Sequence, residues 1–316
     1  MKHLFILNPV AGGKKNRHSE IAAEIETLMA ELGEPYEIYV TQGPMDAVEK
    51  VRSEAASGDP LRVYACGGDG TLSECVTGAA KAENAAVGVY PCGTGNDFVK
   101  IFGDDAARFQ DMRELVCGET HPIDLIACND RYSVNICSVG IDARIGTDVH
   151  KYSGLPLIGG ATGYVTSLVV NVAKGVAEKF AVTSRRIRRE GMFSLICVCN
   201  GQYYGGGFHP VPEARPDDGL LDILLVNKVS RLGLFRVIGK YAKGRYSELG
   251  DLVEHLRGTS LTVERETPFV INVDGEAMVS SRVEFALVPR GVRFICPVGT
   301  RLFEKSEKKT EEYISE

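Results

Sequence analysis

A chain of 316 residues, 44 % hydrophobic and 25 % charged, has the balance of folded domains rather than of disorder or fibre, and more length than one compact core usually organises. Its formal net charge of −6 excludes a general nucleic-acid binder, because phosphate backbones are held by clustered Lys and Arg, and it leaves any attraction to an anionic membrane to a local patch. No run reaches the roughly 20 consecutive apolar residues of a spanning helix; the most apolar segment, 155–175, is broken by glycines and polar residues.

The chain opens with HLFILN, a short apolar run that reads as a first strand and not as a signal peptide, since it has no long apolar region and no cleavage site. A cytoplasmic protein with only peripheral membrane contact is the expectation. The strand ends in Asn8-Pro9 and a Gly12-Gly13 turn. Ile21, Ile25, Leu28, Met29 and Leu32 then recur at helical spacing, closed by Gly33. YEIYVT is a second strand, MDAVEKVRSEAASG a helix ended by Gly58, and LRVYACGGDG a third strand running into glycines. TLSECVTGAAKA is a helix, AAVGVYPCGTGND a fourth strand and RELVCGE a short helix. Strands alternating with helices at this interval predict a layered α/β domain with a parallel sheet over residues 1–125. Ligands of such sheets sit at the carboxyl ends of the strands, where the glycine clusters fall.

Past residue 125 the texture changes. YSVNICSVG, KFAVTS, MFSLICVCNG, LLDILLV, SLTVERE, PFVINVDG, RVEFALVP and VRFICP follow one another with turns between them. Many strands with few helices predict a mainly antiparallel β-sandwich over 126–297, with segment 298–316 a candidate to complete the first domain. Helical stretches are expected at 162–174 and 231–246, and the charged tail is expected at the surface. Nine cysteines, mostly inside apolar runs and with no C-x-x-C pair, indicate buried thiols in a reducing compartment, not a zinc or redox site.

Gly67-Gly68-Asp69-Gly70-Thr71 stands where a strand gives way to a helix. Glycines let backbone approach a ligand closely, and free N–H groups at a helix start favour anions. The segment therefore reads as a phosphate cradle holding Asp69, with Thr71 as a hydroxyl donor; the plain alternative is a capped glycine turn. It is not a P-loop, since the Lys14-Lys15 pair follows its glycines at the wrong spacing. Pro91 to Asp97 repeats the pattern at the next strand end, and Asn8–Gly13 and Thr41 close the first two strands. Four such ends would line one edge of one sheet. Far along the chain, Asn272-Val273-Asp274-Gly275-Glu276 is either an ordinary hairpin turn or an acidic tip that confronts the cradle across a cleft. Phosphoryl transfer to an alcohol needs a group to accept the hydroxyl proton and a metal to offset phosphate charge; Asp69, Asp97 and Asp124 could reach Mg²⁺ directly or through water.

In their order, GGDGTLSE, GTGNDF, SVGIDA, PEARPDDGLLDI and NVDGE resemble the bacterial soluble diacylglycerol kinase and lipid kinase family, whose catalytic domain is shared with sphingosine and ceramide kinases. The resemblance runs from Asn8 to about Val298. It implies an NAD kinase/phosphofructokinase-like α/β domain, a β-sandwich domain, ATP as phosphate donor, Mg²⁺, and transfer of the γ-phosphate to a lipid hydroxyl, with diacylglycerol the leading acceptor. By position it implies nucleotide contacts from Asn8, Pro9, Val10, Ala11, Gly12, Thr41, Gly67, Gly68, Asp69, Gly70, Thr71, Leu72, Ser73 and Thr94. Glu276 would be the proton acceptor, with Asp274 its rival, and Asp69, Asp97 and Asp124 a Mg²⁺–water network. A separate structural Mg²⁺ would sit on the Asp218 carboxylate and the carbonyls of Arg215 and Leu220. Ser73 and Thr77 stand where the family usually has Asn, which bears on how nucleotide or metal is held.

Arg185, Arg186, Arg188 and Arg189 mark a hairpin tip, either a solvated turn or an anionic-membrane contact. Glycines 205–207 permit close backbone approach, and His209 reads as a packed or surface histidine. A NAD kinase-like enzyme, which shares the GGDGT loop, and a non-catalytic nucleotide or lipid sensor are the alternatives to a lipid kinase. An unpaired edge strand leaves a homodimer open.

Overall fold

The computed structural model describes residues 1–13, 17–146, 170–172 and 175–303. The Lys14-Lys15 pair, most of the helix expected over 162–174 and the tail from 304 onward lie outside the described residues. The chain divides into two units, residues 1–125 with 288–316, and residues 126–287.

In the first unit, β1 (Lys2–Leu7), α1 (Arg17–Leu32), β2 (Tyr36–Val40), α2 (Asp46–Ala55), β3 (Leu61–Gly67), α3 (Asp69–Ala79) and β4 (Ala85–Pro91) alternate as the sequence predicts. β1 pairs in parallel with both β2 and β3, and β3 pairs in parallel with β4. The end of the last strand, β13 (Glu276–Cys296), adds in parallel beside β4 through Arg293 and Phe294. Helices on the faces explain why β1, β3 and β4 are almost continuously apolar: both sides of these strands are buried. The parallel arrangement also sets the carboxyl ends of β1 to β4 along one rim. Between β4 and α4 (Met112–Val116) the chain runs as 3₁₀ turns over Phe98–Gln110. No helical spacing marks this stretch in the sequence, because 3₁₀ turns lack the 3.6-residue period of an α-helix.

The chain crosses to the second unit within β5 (Glu119–Cys128). There follow β6 (Arg131–Ser133), β7 (Ile136–Gly140), β8 (Glu178–Thr183), β9 (Arg188–Cys199), β10 (Leu221–Asn227), β11 (Val253–Gly258) and β12 (Ser260–Val273). All pairings among β7 to β12 are antiparallel. β9 changes partner at Phe193: its first half pairs with β8, its second with β7 and β10. β12 does likewise with β8 and β7, so the strands fold round one apolar cluster that includes Phe180, Phe193, Ile196, Phe269 and Phe285. Alternate residues, among them Cys197, Cys199 and Leu224, enter a second cluster with Leu234 and Val237 of the helix Arg231–Tyr241. Burial on both faces again produces unbroken apolar runs.

Two expected breaks are absent. SLTVERE and PFVINV form the single strand β12, whose register shifts between Glu264 and Phe269. Pro268 cannot donate to the ladder, and the Arg265 side chain meets the carbonyls freed there, at 2.8 Å to Thr267 O and 3.0 Å to Pro268 O. RVEFALVP and VRFICP likewise join in β13, through a left-handed residue, Arg290 (φ 51°).

Candidate active site

The four strand ends of the first unit are tied to one another by named bonds. Asn8, following β1, donates from Nδ2 to Thr71 Oγ1 at 3.1 Å, and its own Oδ1 accepts from Val10 N at 3.1 Å. Thr41, following β2, donates through both its amide (3.0 Å) and its hydroxyl (3.4 Å) to the Leu7 carbonyl. The turns after β3 and β4 lie back to back: Cys92 N and Gly93 N both donate to Gly67 O, at 2.9 and 3.2 Å. A Cβ on Gly93 would stand 2.4 Å from Gly68 Cα, so no larger residue fits without moving backbone. Asn96 holds this second turn, accepting from Gly93 N at 3.0 Å and donating to Gly93 O at 2.9 Å.

The turn of Asn8, Pro9, Val10, Ala11 and Gly12 sits against the β4 turn, where a Cβ on Gly12 would be 2.6 Å from the Cys92 carbonyl oxygen. Val10 is exposed at its apex and Thr94 is exposed at the tip of the β4 turn. Helix α3 starts inside this arrangement. Its first bond runs from Leu72 N to Gly68 O, which leaves the amides of Asp69, Gly70 and Thr71 at the helix end, where an anion is favoured. Leu72, Ser73 and Thr77 are buried along the helix, so the two departures from the family pattern fall inside the packing of α3.

Asp69 and Asp97 are brought together. Asp69 Oδ1 accepts from Asp97 N at 2.6 Å and from Phe98 N at 3.4 Å, while Oδ2 accepts no hydrogen bond from any described residue. Burial, then the neighbouring Asp97 charge, push the Asp69 carboxyl above its usual range; the two amides and Lys100 act in the opposite direction. Asp97 is 4 % exposed and accepts from Lys100 Nζ at 2.5 Å. Two crowded carboxylates, one with an oxygen still available, form a donor set that fits Mg²⁺ with its waters. Asp124 is held differently: its Oδ1 accepts from Arg290 N at 2.8 Å and supports the bend in β13.

Sequence reasoning missed three residues here. Lys100, one turn after Asp97, is the cation that balances the acidic pair. Arg17 lies beside the first turn, its Nη1 3.2 Å from where a Gly12 Cβ would stand. Glu74 receives the Met45 and Ala47 amides at 2.9 and 3.3 Å and so fixes the start of α2. The i, i+3 spacing of Asp97 and Lys100 was the available signal; the other two left none.

In the second unit, Asp274-Gly275 forms the two-residue loop of the β12–β13 hairpin, with φ of 49° and 96° and Val273 paired to Glu276. The Asp274 carboxylate is fully engaged: Oδ1 accepts from Ser133 Oγ (2.6 Å), Ile136 N (3.0 Å) and Asn135 N (3.2 Å), and Oδ2 from Val134 N (2.9 Å). Glu276, two residues on, is exposed. The hairpin and the acidic tip are thus one object, in which one acid fastens the turn and the other projects from it.

Around the expected structural-metal turn, Asp218 Oδ1 accepts from Leu220 N at 3.1 Å and the other oxygen accepts from the Arg257 guanidinium. Burial raises the Asp218 carboxyl despite that cation. Arg257 Nε also reaches Asp222 Oδ1 at 3.1 Å, shared with His255 Nε2 at 2.7 Å, while Arg215 forks onto Asp217 at 2.9 Å. Asp222 Oδ2 remains buried with no partner among the described residues. Arg257 bridges both carboxylates, and a structural Mg²⁺ held by Asp218 with the carbonyls of Arg215 and Leu220 would share the Asp218 carboxylate with that guanidinium. His209 stacks on Tyr203 with ring centroids 4.0 Å apart, and burial lowers its pKa, as befits a packed histidine.

Residues 2–128 match the diacylglycerol kinase catalytic domain, and residues 135–296 match the YegS C-terminal NAD kinase beta sandwich-like domain. A Staphylococcus epidermidis protein provisionally named a lipid kinase is 24 % identical over 287 residues, covering 90 % of this chain and 92 % of its own. A Staphylococcus aureus relative with the same provisional name is 21 % identical over 287 residues, covering 90 % and 93 %. Among solved structures, one from Bacillus anthracis str. Sterne provisionally described as a diacylglycerol kinase superposes with a TM-score of 0.73 at 24 % identity, covering 93 % of this chain and 96 % of that one. Another from the same organism, described as a diacylglycerol kinase, gives 0.67 at 21 % identity, covering 95 % and 98 %.

Proposed function

This chain belongs to the diacylglycerol kinase-like family of lipid kinases, phosphotransferases with an alcohol as acceptor, and we propose that it moves the γ-phosphate of ATP onto a lipid hydroxyl, converting diacylglycerol to phosphatidic acid. One observation carries the nucleotide part: two glycine turns packed back to back at the ends of β3 and β4, with Asp69 and Asp97 joined beside the open start of α3. Free amides at a helix start and a paired carboxylate set beside them suit a polyphosphate with its divalent cation. Asn8 to Gly12, Thr41, Gly67 to Ser73 and Thr94 would then surround the nucleotide, and Lys100 and Arg17 would add positive charge near its phosphates.

Mg²⁺, when bound, offsets phosphate charge; Asp69 and Asp97 are the residues that would hold it. Glu276 is the proposed proton acceptor. Its exposed carboxylate has no competing role in the turn, whereas Asp274 is occupied by four donors whose removal would unfasten the hairpin. A carboxylate within hydrogen-bond reach of the attacking hydroxyl takes its proton as the bond to phosphorus forms. The rim amides then stabilise charge on the transferred group. The lipid would be met at a membrane surface from the cytoplasmic side. No helix among the described residues is long and apolar enough to cross a membrane; the contact proposed is peripheral.

Labelled ATP offered with diacylglycerol, sphingosine, ceramide, undecaprenol and NAD tests the reading. Labelled lipid is the expected product. Label on NAD alone would replace it with a NAD kinase, and unreacted ATP throughout, despite binding, with a sensor.

A further inference from the structure

The β8–β9 hairpin turns through Ser184–Ile187, with Ser184 N donating to Ile187 O at 2.8 Å and Ser184 Oγ accepting from the amides of Arg186 and Ile187, both at 3.2 Å. This fixes the turn and sets Arg185 and Arg186 side by side on it, both exposed. They line a hollow of about 200 Å³ with Ser184, Arg257, Thr259 and Ser260, where β11 passes into β12. Ile223 and Leu256 form its apolar floor. Drug-sized ligands take upward of roughly 300 Å³, so this space suits a single small group.

The charge is uneven in a way that points to an anion. Two neighbouring arginines are matched, Arg189 by Glu254 at 2.9 Å and Arg257 by Asp218 and Asp222, while Arg188, which does not line the hollow, forms no ion pair with any described residue. Arg185 and Arg186 form no ion pair with any described residue. No Asp or Glu lines the hollow, and the two carboxylates that touch its Arg257, Asp218 and Asp222, are both met by that guanidinium. Two guanidinium forks, three hydroxyls and a floor without charge make a receptor for a tetrahedral oxyanion, since Arg binds phosphate through paired N–H donors.

We infer that the hollow formed by Arg185, Arg186, Ser184, Thr259 and Ser260 binds a phosphate group, carried by an anionic lipid headgroup or as the free ion. The site lies within the second unit and shares no residue with the proposed transfer chemistry. Only its lipid form rests on the lipid-kinase reading, where it would hold the protein on membranes rich in the proposed product.

The test needs neither ATP nor turnover. Full-length protein and the variant Arg185→Gln/Arg186→Gln are sedimented with phosphatidylcholine vesicles, with and without phosphatidic acid, and their melting is followed with inorganic phosphate. Each basic residue near an anionic surface strengthens partitioning about fivefold, so the double variant is expected to bind phosphatidic acid vesicles some twentyfold to thirtyfold less tightly. Phosphate should raise the melting temperature of the native protein but not of the variant. Arg185→Lys/Arg186→Lys, which keeps the charge and loses the forks, should fall between them and guards against a folding artefact. A phosphate effect without a vesicle effect assigns the site to the free ion. Equal behaviour of native protein and Gln variant in both arms overturns the inference, as does failure of the native protein to respond in either.

Discussion

Replacing Asp274 by Asn separates a fastening acid from a catalytic one. In the native turn Oδ1 takes three donors and Oδ2 takes Val134 N. The amide of Asn can keep its oxygen on the first three but sets an NH₂ against the Val134 N–H. Losing one hydrogen bond to a charged acceptor costs about 1.5–3 kcal/mol, and leaving the amide without a partner adds about 1–3 kcal/mol. Asp274 is only half-buried, so water recovers part of this, and a net loss of about 3 kcal/mol follows. For a unit spanning 126–287 that corresponds to a fall in melting temperature of roughly 6–12 °C. Differential scanning calorimetry reads the shift, and activity measured well below the transition should be largely kept. A variant that melts within a degree or two of the native protein yet has lost turnover would refute the fastening role and return Asp274 to the chemistry.

Glu276→Gln should do the opposite: unchanged melting, since the side chain is exposed, with kcat lowered at least about a hundredfold and ATP affinity retained in equilibrium titration. Asp69→Asn should abolish turnover yet raise the melting temperature at neutral pH. Because burial and Asp97 raise the Asp69 pKa in the folded chain above its ordinary 3.8, the folded state binds that proton more readily than the unfolded one. Its contribution is thus best at low pH and declines as pH climbs from that ordinary value through the folded one, a slope that melting curves should find flattened in the variant. Gly93→Ala places a methyl 2.4 Å from Gly68 Cα and should cost about 1–3 kcal/mol by denaturant unfolding, with ATP binding lost alongside.

The strand ends were legible because alternating apolar runs and glycine turns express one constraint, a parallel sheet buried on both faces whose free edge must approach a ligand. Gly67-Gly68 and Gly93 could be read as a cradle without knowing that they touch. Partnerships across long sequence distances could not be read. Nothing near Asp274 in the chain announces Ser133 and the amides 134–136, and nothing near Asp218 announces that Arg257, on a later strand, supplies its counter-charge. The Mg²⁺ expected at Asp218 is what the family resemblance implies, and the guanidinium that meets the same carboxylate lies outside the motif that carries it. Strand continuity is hidden for a related reason. Pro268 and Pro289 look like terminators locally, but β12 pairs with β13 on both sides of Pro268, and β13 passes from β12 before Pro289 to β4 after it. The arginine hairpin showed the reverse case: its charges were plain in the sequence, while the hydroxyl-lined hollow beside them needed three strands and a turn to assemble.

Transfer of phosphorus itself tests the central claim most directly. The protein is incubated with Mg²⁺, diacylglycerol in mixed micelles and ATP labelled either at the γ- or at the α-phosphate. Radioactivity in the lipid fraction from the γ-labelled nucleotide and none from the α-labelled one is the expected result. An unlabelled lipid fraction from both, at protein concentrations where ATP binding is saturated, would contradict it.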